Sequence, residues 1–189
     1  GSAPQLPPSM ELVDLDSNLL SGSLPGMKNL TALQKYIAFS NQLSGAIPSF
    51  PDSRNLITIY LYGNQLSEQL PSFSENPKLA YIDCSLNCLS GSLPAFPPSL
   101  ELLYLSFNNI SASLPSFATH PNLTTLSLAN NQLSGTVSAQ MLTRSLRILE
   151  LGHNKFDSDL EFLKALDNLQ ILDISGVKWR LSQLGQLHM

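Results

Sequence analysis

Asparagine recurs along this chain at a nearly fixed interval, at Asn18, Asn41, Asn64, Asn87, Asn108, Asn131 and Asn154. Five of the six intervals are 23 residues and the fourth is 21. One more step of 23 reaches Val177, where the asparagine is gone but Leu169, Leu172 and Ile174 keep an apolar frame. The frame puts an apolar residue eight, five and three positions before each of these points. A short period of this kind means stacked units, none of which can bury its apolar face alone. The residues five and three before the asparagine alternate with polar neighbours, as a half-buried strand requires. Eight such strands, one per turn, form a parallel sheet spanning roughly 34 Å. Each asparagine follows its strand at a bend. Its amide can donate to and accept from backbone groups that the bend leaves unpaired, which is a structural role for all seven.

A second column stands nine residues after the asparagines: Met27, Phe50, Phe73, Phe96, Phe117, Gln140 and Leu163. Stacked phenylalanines at this spacing predict a core spine. Pro25, Pro48, Pro71, Pro94 and Pro115 prevent helix and predict an extended outer side. The stretch from Asp159 to Leu169 lacks proline and glycine and predicts a short helix. Further on, Lys178-Trp179-Arg180-Leu181 breaks the pattern and covers the last turn. At the start, residues 3–12 align with 93–102, so 3–9 read as the tail of an earlier, truncated repeat.

The segments Leu20-Ser21-Gly22-Ser23-Leu24-Pro25, Leu43-Ser44-Gly45-Ala46-Ile47-Pro48 and Leu89-Ser90-Gly91-Ser92-Leu93-Pro94 complete the pattern LxxLxLxxNxLxGxLP. By these motifs the chain resembles the leucine-rich repeat family, in its plant-specific subclass, over residues 3–177. The period of 23 departs slightly from the subclass's usual one of about 24. The resemblance implies an α/β-type repeat solenoid, a right-handed superhelix with a parallel concave β-sheet and a mostly non-helical convex side. It implies one domain over 1–189, with about eight repeats at 10–177 and a C-terminal cap or tail at 178–189. It also implies an extracellular or cell-surface location, as in receptor ectodomains and secreted binding proteins.

Function is read from what such a sheet presents outward. Fourteen acids against ten bases leave a charge of -4 with no basic stripe, which argues against a nucleic-acid surface. No apolar run approaches the length of a membrane-spanning helix, so no membrane insertion is expected in this segment. Positions six, four, two and one before each asparagine share the outward face. Aromatics gather there in turns two to five: Phe39, Tyr60, Tyr62, Tyr81, Tyr104 and Phe107, with Asp83 between Tyr60 and Tyr104 in one column. An aromatic patch with acids at its edges predicts a non-enzymatic recognition module of a receptor, adhesin or inhibitor, binding a protein or peptide. The competing readings are a structural spacer and a glycan-binding module attached to another domain.

Catalysis has little footing. His120, His153 and His188 stand apart from any nucleophile at motif spacing, and no phosphate-binding glycine motif occurs. Neither a cofactor nor a metal site is expected. Asp157, Asp159 and Glu161 read as a polar turn rather than a calcium site. Cys84 takes a core position and is expected to be a buried thiol, Cys88 a free thiol on the flank. Asn29, Asn109 and Asn122 each open an N-glycosylation acceptor triplet.

Overall fold

The computed structural model describes residues 1–180, so the expectations for Leu181 and His188 lie outside the described residues. Eight three-residue strands form one parallel sheet: β1 (Leu12–Asp14), β3 (Lys35–Ile37), β5 (Thr58–Tyr60), β7 (Tyr81–Asp83), β9 (Leu102–Tyr104), β11 (Thr125–Ser127), β13 (Ile148–Glu150) and β15 (Ile171–Asp173). They pair in chain order. Each pairs at a numerical offset of 23, as in Leu12 with Lys35, except β7 with β9, where Tyr81 meets Leu102. The repeat read from the asparagines is therefore the register of the sheet.

The other strands lie on the flank. β2 (Ser21–Ser23), β4 (Gln42–Ala46), β6 (Gln65–Glu68), β8 (Cys88–Gly91) and β10 (Asn109–Ile110) form a second parallel sheet, and β12 (Ser134–Gly135) pairs with β14 (Lys155–Phe156). This flank sheet goes beyond the extended outer side that the prolines predict. Its register runs two residues short of the repeat: Ser21 pairs with Gln42 and Ser44 with Gln65, 21 apart. The glycine four residues after the asparagine takes positive φ in Gly22, Gly45, Gly91 and Gly135, a conformation that favours glycine. Ala112 stands in the same place at φ 72. There the flank sheet breaks, leaving a lone bridge between Ser113 and Ser134.

The described residues hold no α-helix. Two 3-10 helices, Ala139–Met141 and Glu161–Ala165, occupy the outer side of the last turns. The helix expected at Asp159–Leu169 is thus shorter and tighter. The Asp159 carboxylate accepts the Glu161 amide at 3.0 Å and Asp157 pairs with Arg180 at 2.7 Å, a polar turn. Trp179 closes the end, its ring stacked on Phe156 at 5.9 Å.

The asparagines bind turn to turn. Asn131 donates through Nδ2 to the carbonyls of Leu105, Leu128 and Ala129, and its Oδ1 accepts the amide of Ile110 from the preceding turn at 2.9 Å. Asn41, Asn64, Asn87, Asn108 and Asn154 each take an amide from the preceding turn in the same way. Asn18 is exposed and bonds only locally, to Leu15 and Asp16. The residue before each asparagine is left-handed throughout: Ser17, Ser40, Gly63, Leu86, Phe107, Asn130, His153, and Gly176 before Val177, with φ from 52 to 66.

Inside lies one continuous core of the leucine frame with Phe50, Phe73, Phe96 and Phe117. Phe73, Phe96 and Phe117 stack at about 6 Å, while Phe50 meets Tyr36 edge-on at 5.9 Å. Gln140 leaves the expected column and is exposed; Leu142 and Phe162 fill the core there. A further polar column, unread in the sequence, runs beneath the outer turns through Ser53, Asn76, His120 and Thr143, all buried. Ser53 Oγ donates to the Leu30 carbonyl at 2.9 Å, and Asn76 Nδ2 donates to those of Phe50 and Ser53. His120 Nε2 donates to Phe96 at 3.1 Å, which makes this histidine structural.

Two outcomes check this packing. Phe73→Ala should lower stability by about 3–5 kcal/mol in denaturant titration, as for other fully buried rings. Asn131→Ala strands several buried backbone groups and should cost at least about 3 kcal/mol, whereas Asn18→Ala should cost under about 1. Equal losses at the two asparagines would contradict the ladder.

Candidate functional site

The outward face of the eight-stranded sheet takes its geography from the register. Tyr60 on β5, Asp83 on β7 and Tyr104 on β9 are successive partners, which puts the two tyrosine strands about 10 Å apart with the acid between them. One column nearer the bend, Phe39 and Tyr62 lie flat on each other, centroids 4.5 Å apart and planes within 9°. On the other side of the row, Tyr81 donates its hydroxyl to Glu101 at 2.9 Å. A hollow of about 450 Å³ opens there, lined by Ile37, Ile57, Thr58, Tyr60, Tyr81 and Leu102, with Lys35 also on its wall.

The face is less exposed than the alternation alone predicts. Phe39, Tyr60, Tyr62, Tyr81, Asp83 and Tyr104 are half-buried, and Thr58, Ser106, Thr125, Ser127 and Ala129 are buried outright. Strands under 5 Å apart let large side chains cover small neighbours. Ser127, for example, sits with its hydroxyl 2.8 Å from that of Ser106 and belongs to the sheet rather than to solvent. Phe107 is the exception, at 54% exposure. Beside it Leu86, which sequence reasoning did not single out, is equally exposed. Both side chains leave left-handed backbone at the bend, where nothing packs over them. The hollow was also missed. Ile37, Thr58 and Leu102 are visible in the outward columns, but periodicity gives no depth.

Asp83 is the electrostatic centre of the face. Ser85 donates to its Oδ1 from both hydroxyl and backbone, at 2.6 and 3.0 Å. Burial nevertheless pushes its pKa above the ordinary carboxylate value, outweighing those two bonds. Tyr60 is pushed up by burial first, then by Asp83 and Tyr104, and Tyr81 by its bond to Glu101. At Asp173 the matching bonds from Ser175 outweigh burial, His153 adds to them, and the pKa falls. His153 itself stands exposed at the bend.

The other residues singled out in the sequence lie elsewhere. Cys84 is buried and Cys88 exposed, and both are free thiols. Asn29, Asn109 and Asn122 are exposed, and none belongs to the eight-stranded sheet. Among the described residues, no group of three or more His, Cys, Asp or Glu side chains is placed to hold a metal ion. No helix among them is long and apolar enough to cross a membrane.

Family models for leucine-rich repeats match residues 55–76 and, as a two-copy model, residues 98–139. No curated protein sequence matches. Among solved structures, the Arabidopsis receptor kinase HAESA, in complex with the peptide hormone IDA and the co-receptor SERK1, is similar with a TM-score of 0.82 and 32% identity, over 88% of this chain and 29% of that one. PEPR1 in the PEPR1-AtPEP1 structure is similar at 0.82 and 26% identity, over 92% and 26%. The leucine-rich-repeat ectodomain of the membrane receptor kinase GASSHO1/SCHENGEN3 from Arabidopsis thaliana, in complex with CASPARIAN STRIP INTEGRITY FACTOR 2, is similar at 0.78 and 31%, over 86% and 20%. The chain thus spans less than a third of each of these proteins. The glycan reading finds no support among them.

The raised pKa of Asp83 has a measurable consequence. Unfolded, the carboxyl returns to about 3.9. The folded chain therefore holds the proton more tightly, and stability falls as pH rises from that unfolded value through the folded one. An amide at this position still accepts from Ser85 and carries no charge. Asp83→Asn should therefore raise the thermal midpoint at pH 7, with the gain vanishing below about pH 3. A lowered midpoint at pH 7 would mean that the carboxylate is stabilised by the fold.

Proposed function

We propose that this protein, a leucine-rich-repeat chain with repeats of the plant type, is a non-catalytic ligand-binding module that receives an extended peptide or protein segment across the outward face of its eight-stranded sheet. The observation that carries this reading is the band of half-buried rings on β3, β5, β7 and β9 and their bends: Phe39, Tyr60, Tyr62, Tyr81 and Tyr104, with Phe107 at the rim. Tyrosine brings a large amphipathic surface at small entropic cost, and a few such residues carry most of an interface's energy. Rings already held by their neighbours lose little further freedom when a ligand arrives. The stacked Phe39–Tyr62 pair and the hollow beside Tyr60 and Tyr81 offer a ledge and a recess a few ångströms apart.

Of the proteins similar to this chain, the receptor kinase HAESA is in complex with a peptide hormone and GASSHO1/SCHENGEN3 contributes a membrane receptor's ectodomain, which supports a peptide as the ligand and a place outside the cell or at its surface. Glycans on Asn29, Asn109 and Asn122 would stand off the eight-stranded sheet and leave its face open. For a peptide selected on the immobilised protein, Tyr60→Ala and Tyr104→Ala should each weaken binding by about 1–3 kcal/mol in calorimetry while leaving the fold intact. Thr119→Ala, on the outer turns, should leave affinity unchanged. Equal losses at all three positions, or a peptide that protects the outer turns from hydrogen exchange instead of the sheet, would refute the proposal.

A further inference from the structure

We infer that the ligand of this face places a cationic side chain, an arginine or lysine, on Asp83 between Tyr60 and Tyr104; this rests on the peptide-binding reading above. The carboxylate stands on the central of three adjacent strands, with a tyrosine at the partner position on either side. A cation lowered onto it meets a negative charge below and a tyrosine on each neighbouring strand, so ion pairing and attraction to the aromatic rings act at one point.

The acid is unpaired as the chain stands. The ion pairs among the described residues are Arg54 with Glu75, Lys164 with Glu161 and Arg180 with Asp157, all away from this face. Both bonds from Ser85 go to Oδ1. Oδ2 has no partner among the described residues and stays in contact with solvent. The other acid in the aromatic band differs, since Glu101 already takes the Tyr81 hydroxyl. Asp83 thus combines partial burial, a free oxygen and no cation of its own.

The surrounding charge points the same way. The column that holds Asp83 also carries Asp14, Glu150 and Asp173 and no base, and the only cation on the eight strands is Lys35, two strands away on β3. Such a face attracts a basic segment at a distance and resists an acidic one. A neutral ligand that covered Asp83 without a hydrogen-bond donor would bury the charge unsatisfied, which strongly opposes binding, and a cation supplies both donor and countercharge.

The test is a selection of random 12-mer peptides on the immobilised wild-type protein and, in parallel, on Asp83→Asn. Wild type should enrich arginine or lysine at one position beside apolar or aromatic ones. The variant should keep the apolar pattern and lose the basic preference. For one selected peptide, exchanging its arginine for citrulline should weaken binding to wild type about tenfold and hardly affect binding to Asp83→Asn. The citrulline exchange leaves the protein untouched, so it decides the matter even if the variant folds poorly. Selected peptides without a basic preference, or a basic preference that persists on Asp83→Asn, would overturn this inference and leave peptide binding standing. If wild type retains no peptide at all, the peptide-binding reading itself falls.

Discussion

Everything in this molecule hangs on a side-chain amide that behaves like backbone. At each bend the strand has ended and the flank strand has not begun, so the chain passes with its peptide groups facing the interior. The asparagine fills that gap with three donations and one acceptance, reaching back to the preceding turn. No apolar residue can replace it, because each stranded backbone group would carry its own desolvation penalty. The ladder also sets the backbone before it. The left-handed residue at every bend turns the asparagine inward and swings its own side chain out, which is why Leu86 and Phe107 end in solvent although both are strongly apolar.

With folding secured by the asparagines, the leucine frame and the buried rings, the outward columns tolerate many residue types. They run from aspartate through isoleucine and tyrosine to serine without disturbing the register. Asp83 makes the division plain: its charge works against the folded state, and the serine two residues on only partly offsets it.

The long sheet, the asparagine ladder, the phenylalanine spine and the buried and exposed fates of Cys84 and Cys88 were legible because all follow from one period and its phase. What periodicity does not encode is lateral crowding, so the burial of Thr58, Ser127 and Ala129 and the hollow beside Tyr81 escaped it. The flank sheet was missed for a related reason: Leu-Ser-Gly-Ser is too short and too polar to read as a strand, and it becomes one only because a similar segment of the next turn lies alongside. The column of Ser53, Asn76, His120 and Thr143 mixes residue types that share only a capacity to bond a carbonyl, and the short repeat interrupts it. Gln140 departs from the aromatic column because the 3-10 turn at Ala139–Met141 changes which residue faces inward.

The two sheets keep different time. Along the long sheet, partners are one whole repeat apart, whereas on the flank they fall two residues short of it at every step. Equivalent residues of neighbouring turns therefore stand side by side on the long sheet and are offset by two residues, about 6–7 Å, along the flank strands. The slant belongs to the flank, and the outward face stays level. A visitor moving from β3 to β9 meets the same repeat position at every step, so what changes along its path is the side chain and not the height of the floor.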